Sequence, residues 1–568
     1  MQRNLLPEKV LEGIDRVNRN FLWGSTENSK KMHWVGWKKV TRPKKDGGLG
    51  LQIAKGRNTS LLAKLNWIFH TESKAPWAKV LKLKYCNRQR LNARNENKLP
   101  SSRTWKSLKK GEVIFKKGVK WTPGYESNLD FWNDNWSNFG PLRNVIQGPL
   151  TCSSSSLKVK DVRVSGSWNW PIIQMNLLID IIRELQATPI PITARIEDRL
   201  AWKFSTRGEF DLKSAYLLTL EPTVEVPFRG KWVWNLKTLP RIQAFVWRCM
   251  HQSIGVKQCL LARGISTDPR CPCCHSEAKT ILHALRDCPF SKSAWIQLGK
   301  QTSDPFFFSA SLQDWLINNA NSQAMHHQGP GQCLWFQVFL FAIWLIWKGR
   351  NQCLFNNKNP NPNIAKEILD RAFEFTHCAC TSLVKNRRIL MSIRWEKPCS
   401  GWLKLNTDGS SLGNPGLAGG GGLIRDENGD WVVGFARKIG FANSFMAELW
   451  ALRDGLLLCL QTHVQAVIVE MDSKVIVDTF STHAEASTTV STILEDCKQL
   501  VAQIPHVRFN HVYKEAIKCA DFLAKLGPSL DVDFNVFSSP PVDLWNLWEA
   551  DARGLSCNRL CSAPSFAV

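Results

Sequence analysis

From Trp402 to Leu526 four segments that otherwise read as core each end in, or border on, an acid. Trp402-Leu403-Lys404-Leu405 alternates like a strand, then breaks at Asn406-Thr407-Asp408-Gly409-Ser410 into a Gly/Asn/Pro turn. SFMAELWALRDGLLLCLQ (444–461) is helical, with Phe445, Leu449, Leu452 and Leu456 at helical spacing on one face and Glu448 bordering it. AVIVEMDS (466–473) carries an unbroken Ala-Val-Ile-Val run, the mark of an interior strand covered on both sides. Asp472 sits at its carboxyl end, where open α/β sheets place their sites. HVRFNHVY (506–513) reads as a strand and AIKCADFLAKLG (516–527) as a helix bearing Asp521. Between the first two segments, GGGGLIRDENGDWVVGFARKIG (419–440) is a hairpin around Asn428-Gly429. Strands alternating with amphipathic helices make this region α/β.

Each acid alone has a plain reading: Asp408 a turn cap, Glu448 a partner for Arg453, Asp472 an N-cap, Asp521 a surface acid. An inward carboxylate without a partner is costly, however. Four meeting at one point repel strongly unless metal ions neutralise them. Oxygen ligands without clustered imidazole or thiolate select a hard ion, Mg²⁺ or Mn²⁺. Two such ions ~3.5–4 Å apart suit in-line attack of water on a phosphodiester.

The order Asp408-Gly-Ser, Met446-Ala-Glu448-Leu-Trp-Ala-Leu, Glu470-Met-Asp472-Ser, His511-Val-x-Lys-Glu and Ala520-Asp521-x-Leu-Ala resembles type 1 ribonuclease H, in the version found in plant retrotransposon-derived proteins. The resemblance covers about 405–527. It implies a ribonuclease H-like fold, a mixed five-stranded sheet with flanking helices, and cleavage of the RNA strand of an RNA–DNA hybrid. It implies that Asp408 bridges two Mg²⁺ ions, that Glu448, Asp472 and Asp521 complete their shells, and that His511 handles a proton or product release. The last motif carries Lys514 and Ile517 where the family usually has Arg and Asn. The short gap between Asp472 and Asp521 leaves little room for the basic protrusion some relatives use, so the grip on substrate falls to the upstream body.

A second cluster lies in CPCCHSEAKTILHALRDC (271–288). Cys271-x2-Cys274 and His283-x4-Cys288 are two close pairs of the kind tetrahedral Zn²⁺ takes, and Cys273 and His275 leave the ligand choice open on spacing alone. AWKFSTRGEFDLKSAY (201–216) and KWVWNLKTLPRIQAFVWRCMHQSI (231–254) precede it. Together these resemble the zinc-binding domain that follows the reverse transcriptase in plant non-LTR retrotransposons. That resemblance implies Cys271, Cys274, His283 and Cys288 as ligands of one structural zinc, and nucleic acid as partner. FLWGSTENSKKMHWVGWKKVTRPKKDGGLGL (21–51) and FWNDNW (131–136) look like the segment downstream of the polymerase in the same elements. The paired Asp-Asp turn a polymerase needs is absent.

Charge divides along the same lines. Residues 1–400 carry 61 Lys and Arg against 29 Asp and Glu, whereas residues 401–568 carry 13 against 19. A basic body joined to a mildly acidic domain suits a polyanion partner. Of the 26 tryptophans, several stand beside cations in HWVGWKKVTRPKK (33–45), but most are expected as core anchors. The run CLWFQVFLFAIWLIW (333–347) is short for a membrane span and fits a buried helix. The amino terminus has no apolar signal core, so the reading is intracellular and reduced, in nucleus or cytoplasm alike, with no membrane partner and no sign of oligomeric state. The expected organisation is a basic Trp-rich region (1–150), a zinc-binding domain (190–300), a helical linker region (301–395), a ribonuclease H-like domain (400–527) and a loosely ordered tail (528–568). The alternative to an RNA–DNA hybrid nuclease is a catalytically weak or inactive nucleic-acid-binding remnant of a retrotransposon polyprotein.

Overall fold

The computed structural model describes residues 4–72, 75–86, 101–164, 167–173, 175, 177–205, 208–221, 228–265, 268–275, 280–300, 305–326, 333–356, 358–359, 361–381, 388–481 and 492–562. The chain forms two compact units. One takes residues 6–57 and 221–385; the other takes 1–5, 58–220 and 386–568. The units therefore cut across the boundaries expected from sequence. The stretch expected as a helical linker region, 301–395, supplies about half of the buried residues of one core. The apolar run falls in a helix, α1 (Trp335–Asn356), whose Val338, Phe339, Leu340, Ala342, Ile343 and Ile346 are fully buried. Around it pack the helix Pro240–Met250 and the Cys/His segment. Among the described residues no helix is long and apolar enough to cross a membrane.

In the other unit a short ladder pairs β1 (Val119–Thr122) with β2 (Arg199–Trp202), antiparallel. The carboxyl-terminal part is a six-stranded mixed sheet. Its strands are β3 (Leu403–Gly413), β4 (Gly416–Arg425), β5 (Trp431–Ala442), β6 (Ala466–Met471), β7 (His506–His511) and β8 (Phe534–Phe537), in the spatial order β7-β6-β3-β4-β5-β8. β6 runs parallel to both β3 and β7; the other pairings are antiparallel. β6 is interior, as its unbroken apolar run requires, and Val467, Val469 and Met471 are inaccessible. The β4–β5 turn falls where Asn428-Gly429 puts it: Asp426 Oδ1 accepts the Asn428 and Asp430 N–H groups, and Gly429 has φ 88°.

Helices α2 (Ser444–Gln461) and α3 (Lys518–Leu526) pack on the sheet. The side chain of Asn443 caps α2 by accepting the Met446 N–H at 2.9 Å. Leu449, Leu452 and Leu456 are buried as expected, but Phe445 is 43% exposed. It lies in the first turn, beside the cap.

Two glycines set how close these helices come. A methyl group at Gly409 would fall on the Ala447–Glu448 backbone of α2, and one at Gly421 on the Leu523–Ala524 backbone of α3. Gly421 pairs across the ladder with Asp408. Both helices are thus drawn down onto the sheet at the level of Asp408.

The tail expected to be loosely ordered is folded through Ser562. β8 adds a sixth strand beside β5, α4 (Trp545–Ala552) follows, and Cys557–Ser562 pairs with Arg388–Ile393. Leu544 is fully buried against Leu423 and Leu523, with Phe537, Leu547 and Trp548 packed around it, and a polar network adds to this hold. Asp551 of α4 pairs with Arg425 of β4 at 3.0 Å, both buried. Arg425 also donates to Asn406 Oδ1 and stacks 3.7 Å from the Trp395 ring centroid. Asn406 donates to Glu470, which pairs with Lys404 at 2.7 Å.

Candidate active site and metal centres

Asp408 occupies the middle of β3, Glu448 the second turn of α2, and Asp472 the residue after β6. Their carboxylate oxygens lie within 4.8 Å of one another. Asp408 is 1% and Glu448 7% exposed. Asp408 Oδ2 and Glu448 Oε2 are buried with no hydrogen-bond partner. Burial pushes the Asp408 carboxyl up to about 7; Lys514 opposes the rise, while Asp472 and Asp521 add to it. Glu448 is raised well above the usual carboxylate range by burial, then by Asp408 and Asp472. Such oxygens want a cation.

Asp521, on α3, is not one of the close trio. Lys514 Nζ lies 2.7 Å from its Oδ1, and Lys525 Nζ 2.8 Å from its Oδ2. Burial pushes the Asp521 carboxyl up, but the hydrogen bonds from Lys514 and Lys525 outweigh it and hold the group below the ordinary range. Lys514 Nζ also reaches Asp408 Oδ2 at 3.5 Å. One ammonium thus bridges the fourth acid and the first. Lys525 went unnoticed in the sequence, although its place four residues after Asp521 on one helix face was readable.

His511 ends β7, exposed, opposite Met471 in the parallel ladder. Its Nε2 lies 3.1 Å from the backbone oxygen of Asp472. Ile517 is fully buried among Leu423, Leu523 and Leu544, and its carbonyl accepts the Asp521 N–H at 3.0 Å. An apolar side chain here anchors the start of α3 by packing.

In the other unit the thiols of Cys271, Cys274 and Cys288 and a ring nitrogen of His283 lie within 4.8 Å of one another. Cys273 and His275 are exposed and outside the cluster. His283–Asp287 makes one π turn, and Cys288 follows it. The Cys271 thiol is raised by burial, but the Cys273 and Cys274 N–H groups and Arg350 outweigh this and bring it to about 7. Burial pushes Cys288 up. Arg350 of α1, 1% exposed, donates from Nη2 to Cys271 Sγ at 3.0 Å. Its role had no signal in the sequence, because 62 residues separate it from the last cysteine of the cluster. Three thiols and an imidazole at this spacing suit a closed tetrahedral Zn²⁺ site.

Residues 406–527 match the family model described as reverse transcriptase-like, and residues 210–295 the one described as zinc-binding in reverse transcriptase. The chain is 33% identical over 563 residues to the Arabidopsis thaliana protein named "Putative ribonuclease H protein At1g65750", covering 98% of this chain and 90% of that one. Among solved structures it is similar to the N-terminal RNase H domain of rv2228c from Mycobacterium tuberculosis (25% identity, 22% of this chain and 94% of that one, TM-score 0.22). It is also similar to LC11-RNase H1 in complex with an RNA/DNA hybrid (28% identity, 22% and 96%, TM-score 0.21).

Proposed function

Because the chain belongs to the plant retrotransposon-derived ribonuclease H proteins, in which a reverse-transcriptase zinc-binding domain precedes a ribonuclease H-like domain, we propose that it hydrolyses the RNA strand of RNA–DNA hybrids. Asp408, Glu448, Asp472 and Asp521 would hold two Mg²⁺ or Mn²⁺ ions. Bound there, the ions would supply an activated water and neutralise charge on the leaving oxygen. The observation that carries this reading is the close trio of carboxylates, with Asp408 and Glu448 buried, a Glu448 oxygen that has no hydrogen-bond partner, and an Asp408 oxygen that meets the Lys514 ammonium at 3.5 Å. The chain's own residues do the positioning. Asp408 fixes the floor of the site from β3, an interior strand paired on both sides. Glu448 is pressed against it by the close approach at Gly409. Lys514 holds Asp521 toward Asp408. His511, exposed and tethered to the Asp472 carbonyl, stands where a proton can pass to solvent.

Cys271, Cys274, His283 and Cys288 would hold one structural Zn²⁺ with no open position. A nucleic-acid-binding remnant with negligible turnover is the second reading, and Lys514 is what favours it, since its ammonium already bridges Asp408 and Asp521. Cleavage of a labelled hybrid in Mg²⁺ separates the two. Wild type is expected to cleave the RNA strand, and Asp472→Asn to lower the rate by about 100-fold or more. Cleavage that survives the substitution removes the acid site from the mechanism.

A further inference from the structure

The β1–β2 ladder sets Lys120 opposite Ala201 and Thr122 opposite Arg199. Side chains alternate across a strand, so these four share one face and Val119, Trp121, Leu200 and Trp202 the other. The second face is core: Trp202 is fully buried beside Phe115. The first face is basic. The ladder runs one residue further, with Lys203 N–H donating to Gly118 O at 2.9 Å, which adds a third cation to that face, on the Lys120 side.

Lys120, Arg199 and Lys203 all line a cleft of about 660 Å³ within this unit. Its far wall is the end of β5 and the first turn of α2, at Phe441, Asn443 and Met446. One carboxylate, Glu184, is among the lining residues; it is buried and accepts the Asn138 N–H. Lys120 Nζ is bound to the neutral Asn138 Oδ1 at 2.6 Å, and exposed Lys203 lies over the Phe204 ring at 5.1 Å. Glu495, outside the lining, acts on Arg199, so the three cations of the cleft face two carboxylates and keep a net positive charge.

It also lies close to the carboxylates. Asn443 and Glu448 are on one helix, five residues apart, or ~7.5 Å along the axis. A nucleic-acid strand carries a phosphate every ~3.4 Å of helix axis. The wall of the cleft at Asn443 is thus about two such spacings along the helix axis from Glu448.

We infer that this cleft is a phosphate-backbone track, in which Lys120, Arg199 and Lys203 hold the nucleic-acid strand that continues past the acid site. The inference rests on the reading of that site as a hybrid nuclease. It places the substrate grip on residues 119–203, outside the segment matched by the nuclease family model, and so supplies a grip for which the short span between Asp472 and Asp521 leaves little room.

The test is binding of a fluorescent RNA–DNA hybrid to the full chain in Mg²⁺-free buffer across a KCl series. Arg199→Gln/Lys203→Gln is compared with Lys79→Gln/Lys84→Gln, exposed lysines of the helix Pro76–Tyr85. Both doubles change net charge equally. The cleft double should lower the magnitude of the log K against log salt slope by about 2 and weaken binding roughly tenfold or more. The control should leave the slope near wild type. Lys203→Gln alone, exposed and so harmless to the core, should lower the slope by about 1. Equal shifts in both doubles, no shift in either, or a wild type that binds no hybrid overturns the inference. So does poly-glutamate that displaces hybrid from wild type and from the cleft double alike. A wild type that binds with the expected slopes but cleaves nothing defeats the nuclease reading and leaves the track standing.

Discussion

Asp408 is where burial and function pull hardest against each other. A carboxyl lifted to about 7 takes up protons in the folded chain that the unfolded chain, titrating near 4, has already lost. Between those values the folded state binds more protons, so stability falls as pH rises from about 4 to about 7 and levels off above. In Mg²⁺-free buffer the melting temperature should follow that course. Asp408→Asn should flatten it and raise the melting point at pH 8, because the neutral amide removes one of three crowded charges. Lys514 contributes in the opposite sense. Lys514→Met should cost the ion-free chain about 1 kcal/mol, given a half-exposed ammonium, and should enlarge the rise in melting temperature on adding Mg²⁺. An unchanged Mg²⁺ response would show that the ammonium and the ions do not share a place.

Elements carry the next level of constraint, and here the two close approaches decide. Gly421→Ala should destabilise by about 1–3 kcal/mol in urea unfolding, because backbone rather than a flexible side chain stands in the way. It should also lower hybrid cleavage by moving Asp521 away from Asp408. The strands and helices of 403–526 were legible in sequence because their apolar periods are regular and each ends at an acid. Why β4 is a run of glycines was not legible, since Gly419 and Gly421 make room for α3 and the turn after it from a hundred residues on, Gly420 for Ala451 of α2 and Gly422 for the Phe435 ring. Helix α1 gives a parallel case. Its buried character followed from fifteen nearly uninterrupted apolar residues, but nothing in the sequence points to Arg350, three residues past that run. Three thiolates with Zn²⁺ bound would leave one net negative charge, which Arg350, buried and bonded to Cys271 Sγ, would balance. Arg350→Met should speed zinc release to a chromophoric chelator by about tenfold or more, with Lys restoring part of the difference.

At the scale of the whole chain, the tail is part of the nuclease fold. Asp551→Ala strands Arg425 in the interior and should cost about 3–5 kcal/mol, read as a lower urea midpoint. A fragment ending at Gly527, where the family match stops, should lose as much. Neither residue could be paired from sequence, since Asp551 is one of four aspartates in the tail and lies 126 residues from its arginine. Asp496 makes a similar long-range tie within this unit, accepting the N–H groups of Ile192, Thr193 and Ala194. Such ties have a cost during synthesis. The unit that contains them is interrupted by residues 221–385, which belong to the other unit. At ~5–20 residues per second, a ribosome needs on the order of ten to thirty seconds to cross that interruption. Throughout it, the nascent 58–220 segment has no partner sheet and must be kept from aggregation by other means, so expression of this protein should depend on chaperone supply more steeply than its finished stability suggests.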